Sequence, residues 1–514
     1  MQIADVFVDY AIAIEKKPRS CHHQPAVLLL RPDLEWSDAT FLQKRVPVDP
    51  ERTQAFIGWV PDELGFIFAA RFAPVILEVA FQHAVSVVSD ARQARSPMAQ
   101  TSQIVTRDPR SATAIFSAPS EEVAPGVVVH AQFSNTYALE TSVGLLLIDP
   151  GLYRLSASVH RTVRGWRDAP LHTAVYTHGH IDHACGLRAF LEAGDHPHII
   201  AQENCTKRFQ RYQLTHGLNA SINQRQFGRE VFFPREFDWP TLTFRDSLTQ
   251  RMGQLDVHYT AAKGETDDHC YVWIPERGYL FTGDLIIWRA PNCGNPQKVQ
   301  RYPLEWADAL EKTAGLGAEW MFPGHGLVVV GRDAVRLVLT DTAAYLRCII
   351  DQVLARLNEG EMPEDIVQAV RSDAALASLP YLREMYDHPQ FIVRNLLRLW
   401  GGWWNGNAAD LLPATFAAQS KEIADLAGGT AAIVARARAL LAQRKFELAS
   451  HLAEWAARAA PDDREAQMLK RDVYEQRLAA EPNLMAQGVF RGAMNDAKEA
   501  LGEERVTRAG QVAL

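Results

Sequence analysis

Residues 177–186 read THGHIDHACG, and within six positions they offer His178, His180, Asp182 and His183. The run before them, HTAVYTH (172–178), is rich in β-branched and aromatic residues and reads as a strand that delivers His178 into the loop. Imidazole and carboxylate are the donors that zinc or a similar divalent ion takes. His178 and His180 can point to one side of such a loop while Asp182 and His183 reach another. A loop of this composition therefore feeds two ions better than one, and a plain polar surface loop does not concentrate so many ligand types.

Outward from this loop, residues 116–332 alternate short β-rich runs with helical patterns. GVVVH, VGLLLID, HIIAQ, TLTF, LDVHYTAA, HCYVWIP, GYLFTGD and EWMFPGH are strand-like, while GLRAFLEAG (186–194) and LEWADALEKTAG (304–315) have helical spacing. This alternation predicts an α/β domain. From 333 to 514 strand patterns vanish. DAVRLVLTDTAAYLRCIIDQVLARLNEG (333–360) predicts a long helix, and ARALLAQRKFELASHLAEWAARAAPDD (437–463) a helical hairpin closed by Pro461 that resembles one tetratricopeptide unit. Residues 1–115 form an N-terminal extension of unassigned role. They hold CHH at 21–23, without partners at useful spacing, and close on a linker-like stretch, ARQARSPMAQTSQ.

Composition narrows the function classes. The chain has 514 residues, 47% of them hydrophobic, enough for more than one packed domain. Its 61 acidic residues exceed its 53 basic ones, and the net charge of -8 disfavours nucleic acid as a partner. Six scattered cysteines contain no CxxC pair, so neither a thiolate zinc site nor a redox dithiol is expected, and a reducing, cytoplasmic setting fits. The N-terminus lacks a basic leader before an apolar run, and VILEVAFQHAVSVV (75–88) is too short and polar to span a bilayer; no membrane association is expected.

The HxHxDH arrangement resembles the metallo-β-lactamase fold family, whose αββα sandwich carries its metals at one edge of two sheets. The resemblance implies further site residues. Asp149, ending VGLLLIDPG, would orient the loop from behind. Glu265, in AAKGETDDH, stands where a third ligand of the first metal is expected, usually a His. Asp284, ending GYLFTGD, would bridge the metals, and His325, in MFPGHG, would close the site. A Glu at position 265 is the pattern of the alkyl sulfatase-like branch. In the helical half, YDHPQFIVRNLLRLWGGWWNGNAADLLP (386–413) is similar to the alkyl sulfatase dimerisation domain. The implied architecture is a metallo-β-lactamase sandwich (116–332) followed by an all-α dimerisation domain (333–514). Trp403 and Trp404 beside the apolar NLLRLW helix agree with a homodimer.

This chain departs from the branch in three ways. The residues stop before the sterol-carrier-like domain of the branch, and none is expected. LIIWRAPNCGNPQKVQR (285–301) replaces a His-rich run, leaving Arg289, Asn292, Asn295, Lys298 and Arg301 as candidate anion contacts. The bridging acid is Asp284 rather than Glu. Asn135, Tyr137 and Arg225 join Arg289 and Arg301 as candidate substrate contacts.

The reading that follows is a hydrolase with two Zn2+ per chain, cleaving a small-molecule ester with a metal-activated water, an alkyl sulfate being the first choice. One ion would rest on His178, His180 and Glu265, the other on Asp182, His183 and His325. Asp182 and Asp284 would serve the chemistry directly, and His269 would supply the proton to the leaving alkoxide. Cys185 is read as a small packed residue, and of Asp267 and Asp268 one as support for a ligand and one as solvated. The alternatives are a carboxylic ester, lactone or thioester hydrolase, a non-catalytic metal-binding scaffold, and a nuclease, which the acidic balance opposes.

Overall fold

Hydrophobic alternation places two sheets face to face. The computed structural model describes residues 102–507 except Ala114, together with two short strands, β1 (Phe56–Trp59) and β2 (Phe66–Ala69). Residues 1–96 and 97–514 are two compact units. Of the first, only the antiparallel pairing of β1 with β2 is described; CHH at 21–23 and most of the linker-like stretch lie outside the described residues.

In the second unit, one sheet takes seven strands in the order β10-β9-β8-β7-β6-β5-β4. In chain order these are β4 (Glu121–Ala124), β5 (Val127–Ala131), β6 (Asn135–Thr141), β7 (Gly144–Ile148), β8 (Leu171–Val175), β9 (His198–Gln202) and β10 (Leu242–Phe244). The other runs β11-β12-β13-β14-β15-β16-β3. It comprises β3 (Val105–Thr106), β11 (Ser247–Met252), β12 (Leu255–Ala261), β13 (Cys270–Ile274), β14 (Tyr279–Gly283), β15 (Trp320–Pro323) and β16 (Val328–Val330). This sheet therefore begins upstream of residue 116, because β3 pairs in parallel with β16.

Period-two patterning explains the layers. Val127, Val129, Leu139, Leu146, Ile148 and Val175 face the second sheet's Val257, Tyr259, Val272 and Phe281 in one core. Their neighbours Val128, Ala138, Leu145, Leu147 and Ala174 point outward, where Val159 and Val163 of the helix Ser156–Trp166 and Phe209 of Asn204–Leu214 cover them. The second sheet is covered by the helices Pro303–Ala314 and Arg332–Asn358, through Trp306, Leu310, Val338 and Leu346. Pro303 at the first helical turn, where its missing N–H costs no bond, explains the start of the former.

The long helix Arg332–Asn358 leads into the helical domain, where Pro389–Gly401 packs Ile392, Val393 and Leu396 into the main core. The hairpin expected at 437–463 is the pair Thr430–Ala442 and Phe446–Ala459, which shares a separate core with Arg464–Ala480. Among the described residues no helix is long and apolar enough to cross a membrane.

Strand direction positions the site. β7 and β8 are parallel, and so are β14 and β15. Asp149 follows β7, Asp284 follows β14, and His178 and His325 lie a few residues beyond β8 and β15, so these side chains meet at one edge of the sandwich.

Candidate metal centre

The loop after β8 is fixed from behind by Asp149, whose φ of 52° lies in the left-handed region that Asp tolerates better than most residues. Its Oδ1 accepts the Thr177 N–H at 2.8 Å, and its Oδ2 accepts the Thr177 hydroxyl at 2.8 Å and lies 2.9 Å from His183 Nδ1. A carboxylate at that nitrogen requires it to carry the proton, which leaves Nε2 bare for an ion. Asp268 grips the same loop from the other side: it accepts the Gly179 N–H at 2.8 Å and the Arg208 Nε–H at 2.7 Å. Glycine suits position 179, since a Cβ there would stand 2.9 Å from Arg208 Cδ and 3.0 Å from Asp268 Oδ2 and would push on their pairing. Asp267 pairs with the same arginine.

The ligand atoms converge in three overlapping groups: His178, His183 and Asp284; Asp182, His183 and His325; and His180, Glu265 and Asp284, the atoms of each lying within 4.8 Å of one another. Asp284 divides its oxygens. Oδ1 lies 3.2 Å from His183 Nε2 and 3.4 Å from His325 Nε2, while Oδ2 lies 3.8 Å from His178 Nε2. Asp182 Oδ2 is 3.4 Å from His183 Nε2 and 3.5 Å from His325 Nε2. His178 Nε2 and His180 Nδ1 approach to 2.9 Å, and Glu265 Oε1 is 3.5 Å from the latter. His325 Nδ1 is spent on the Phe133 carbonyl at 2.5 Å, which aims its Nε2 into the cluster. The backbone yields to this crowding at Gly324, where a Cβ would sit 2.2 Å from Asp284 Oδ1.

The donor set fits divalent ions. His183 Nε2 and Asp284 Oδ1 are buried and have no hydrogen-bond partner, which is costly unless a cation takes them. Burial, then the neighbouring His183, holds His178 well below the ordinary histidine pKa; burial, then His178, does the same to His180. Both rings are therefore neutral donors. Burial opposes charge on His183, but Asp284, Asp182 and Asp149 outweigh it and raise its pKa well above normal, so a cation at Nε2 would take the place of a second proton. Burial likewise disfavours the Asp284 carboxylate, yet His183 and His325 hold its pKa well below the usual range.

Glu265 is buried. Its Oε1 accepts from Asn292 Nδ2 and lies 3.3 Å from Arg301 Nη2, and its carbonyl accepts Arg301 Nη1 at 2.7 Å. Arg301 is thus occupied by a candidate ligand. Arg289 donates to the Trp288 carbonyl at 2.8 Å and lies over the Phe116 ring, and Arg225 donates to Gln297 at 2.8 Å. Asn135 and Tyr137 are buried too: Asn135 Nδ2 donates to Tyr137 Oη, Pro323 O and Gly326 O, and Tyr137 Oη donates to Pro323 O. Both brace the loop that carries His325. His269 accepts the Asp284 N–H on Nε2 at 3.1 Å, and burial lowers its pKa to about 4. Cys185 is buried in the apolar core behind the loop, where burial pushes its thiol pKa up.

Two further groups feel the charge of the cluster. Lys298 Nζ donates to Asn223 Oδ1 at 3.0 Å; burial, then Arg301, lowers its pKa to about 8, against the pull of Glu265 and Asp182. Tyr386 lies in the field of Glu265, Asp182 and Asp284, and burial followed by these carboxylates raises its pKa well above 10. In the sequence Tyr386 opens the run YDHPQFIV. Its position just before Pro389–Gly401, in the segment that packs against 291–301, was the available signal.

Two facing sheets with a histidine and carboxylate cluster at one edge define a metallo-beta-lactamase fold, and residues 131–325 match the model of that superfamily. Residues 362–500 match the alkyl sulfatase dimerisation model, so the chain carries a metallo-beta-lactamase domain followed by an alkyl sulfatase dimerisation domain. A linear primary-alkylsulfatase of Pseudomonas sp. is 28% identical over 361 residues, covering 65% of this chain and 68% of that protein. An alkyl/aryl-sulfatase of Saccharomyces cerevisiae is 22% identical over 373 residues, covering 67% of this chain and 58% of that protein. The structure of a stereoselective inverting sec-alkylsulfatase from Pseudomonas sp. superposes with a TM-score of 0.67 at 22% identity, covering 74% of this chain and 66% of that one. The chain thus spans between 58% and 68% of the length of these relatives.

Proposed function

We propose that this protein is a dinuclear zinc hydrolase of an ester with a compact anionic head, an alkyl sulfate being the substrate class, and that it works as a cytoplasmic homodimer. The observation that carries the reading is the division of the Asp284 oxygens, Oδ1 beside His183 and His325 and Oδ2 beside His178. The ions, when bound, supply a water of lowered pKa and a Lewis-acid contact for the ester. His178, His180 and Glu265 hold one, and Asp182, His183 and His325 the other. The sulfatase names of the relatives and the dimerisation domain support the substrate class and the assembly. The unpaired cysteines among the described residues agree with a reducing compartment.

The chain's own residues divide the remaining work. Lys298 meets the anionic head as a point charge. Tyr386, kept protonated by its surroundings, donates to the departing oxygen. His269 is neutral, and its Nε2 is engaged by the bridging residue's N–H, which gives it a supporting place behind Asp284. One observation favours a second reading, hydrolysis of a carboxylic ester or lactone: Arg289 and Arg301 are both occupied within the fold, so neither offers its charge to an anionic head.

The test compares a short alkyl sulfate with its matched carboxylic ester, using the wild type and Lys298→Ala. Sulfate turnover that falls at least tenfold in the variant, about 1.4 kcal/mol of transition-state stabilisation, supports the sulfate reading. Turnover of the carboxylic ester alone, indifferent to Lys298, transfers the case to the second reading.

A further inference from the structure

Arg301 reaches Glu265 from a segment that is itself held by the helical domain. A single side chain grips the main chain of Arg301 on both sides: Asn395 Oδ1 accepts the Arg301 N–H at 3.2 Å, and Asn395 Nδ2 donates to the Arg301 carbonyl at 3.0 Å. This is the pairing a neighbouring β-strand would supply. Gln300 Nε2 and Arg398 Nη2 also donate to Asn395 Oδ1, at 3.0 and 3.2 Å, which fixes the side-chain amide in one orientation. Beyond it, Tyr302 N donates to the Gly264 carbonyl at 3.0 Å, so the clamp sits directly against the turn that presents Glu265. Upstream, Gly294 N donates to Asp387, and a Cβ on Gly294 would stand 2.1 Å from Ile392 N. The segment 294–302 is therefore held against the helix Pro389–Gly401 near both its ends, at Gly294 and at Gln300–Arg301, and Asn395 is buried.

We propose that Asn395 is a positioning residue for the metal centre. Acting through Arg301, it sets where the Glu265 carboxylate stands, so the seating of the helical domain governs the affinity of the ion held with His178 and His180. This inference rests on the two-ion reading above. Removing Asn395 frees the Arg301 main chain, and the guanidinium that orients Glu265 loses its fixed origin; the ligands of the other ion, Asp182, His183 and His325, have no bond to this chain of contacts among those described.

The experiment is a Zn2+ titration of the metal-free full-length protein against a chelating dye, for wild type, Asn395→Ala, Arg301→Lys and the double variant. The expected result is that Asn395→Ala weakens one of two zinc ions at least tenfold and leaves the other within about twofold. Arg301→Lys should do the same, and the double variant should lose no more than Arg301→Lys alone, since residues acting in series are not additive. Asn395→Asp keeps the three accepted hydrogen bonds but sets a carboxylate oxygen against the Arg301 carbonyl; it should weaken the same single ion as Asn395→Ala, and it carries the test if the alanine variant does not fold. Equal weakening of both ions, an additive double variant, or unchanged affinities would overturn the inference. A wild type that takes up fewer than two zinc ions would overturn the two-ion reading itself, and this inference with it.

Discussion

Asp149 Oδ2 and His183 Nδ1 stand 2.9 Å apart, and neither side chain is open to solvent. The carboxylate fixes which ring nitrogen carries the proton. Asp149→Asn offers one acceptor oxygen where Thr177 N–H, Thr177 O–H and His183 Nδ1–H all require one. Zinc affinity should fall about 10–100-fold, as is usual when such support is lost. A competition titration would read this, and a variant that binds zinc like the wild type would remove Asp149 from the role.

Glu265 has a second duty besides ligation. Glu265→Ala leaves the Arg301 guanidinium buried without its carboxylate, which costs about 3–5 kcal/mol. The melting temperature of the metal-free protein should drop, and elemental analysis should show one ion lost. Glu265→Gln keeps an acceptor for Asn292 and Arg301 and should melt nearer the wild type while still binding zinc poorly. If Glu265→Ala keeps both its stability and two ions, the third ligand lies elsewhere.

Lys298 gives a pH signature. With its pKa lowered to about 8, the ammonium is charged below that pH and is lost above it. An anionic head loses its partner as pH rises, so KM for a sulfate ester should climb through about pH 8. Lys298→Arg keeps its charge across this range and should abolish that limb of the profile. A wild-type KM that stays flat from pH 7 to 9 would exclude Lys298 from the anion contact.

The assembly prediction concerns the segment after Pro389–Gly401. Trp403 is 72% exposed and Leu412 91%, with Trp404, Leu411 and Phe416 exposed nearby. Such apolar exposure in a dimerisation domain is expected to be covered by a second copy. Light scattering at micromolar concentration should give twice the chain mass, and Trp403→Glu should shift it to the monomer. A wild-type monomer at that concentration would rule the dimer out.

The sandwich and the helical half were legible because their signals are local. Leu145 to Ile148 and Val127 to Ala131 carry their burial in their own spelling, and the four ligand types of 178–183 lie on one loop. What the sequence hid was tertiary. Arg301 and Arg289 look alike as free cations in a polar stretch; one is buried on Glu265, 36 residues upstream, and the other lies over Phe116. Asn135 and Tyr137 suggested substrate contacts because nothing near them reveals the main chain of 323–326, nearly two hundred residues on, to which they donate. β6 and β11 escaped notice for a different reason: NTYALET does not alternate cleanly, and SLTQRM is a mostly exposed edge strand.

Because β7, β8, β14 and β15 all discharge at one edge, the far edge carries none of the candidate ligands. Pro125–Gly126, Ser142–Val143, Gly253–Gln254 and Pro275–Gly278 are the turns there, each lying between antiparallel strands and each containing or adjoining a glycine with positive φ. Outside these glycines, whose positive φ and close contacts restrict them, drift at these turns should not reach an ion, and a fluorophore or affinity tag should be tolerated there. The molecule is in this sense two-faced: one rim is closed to change by its ligands, and the other is open territory for variation and for attachment.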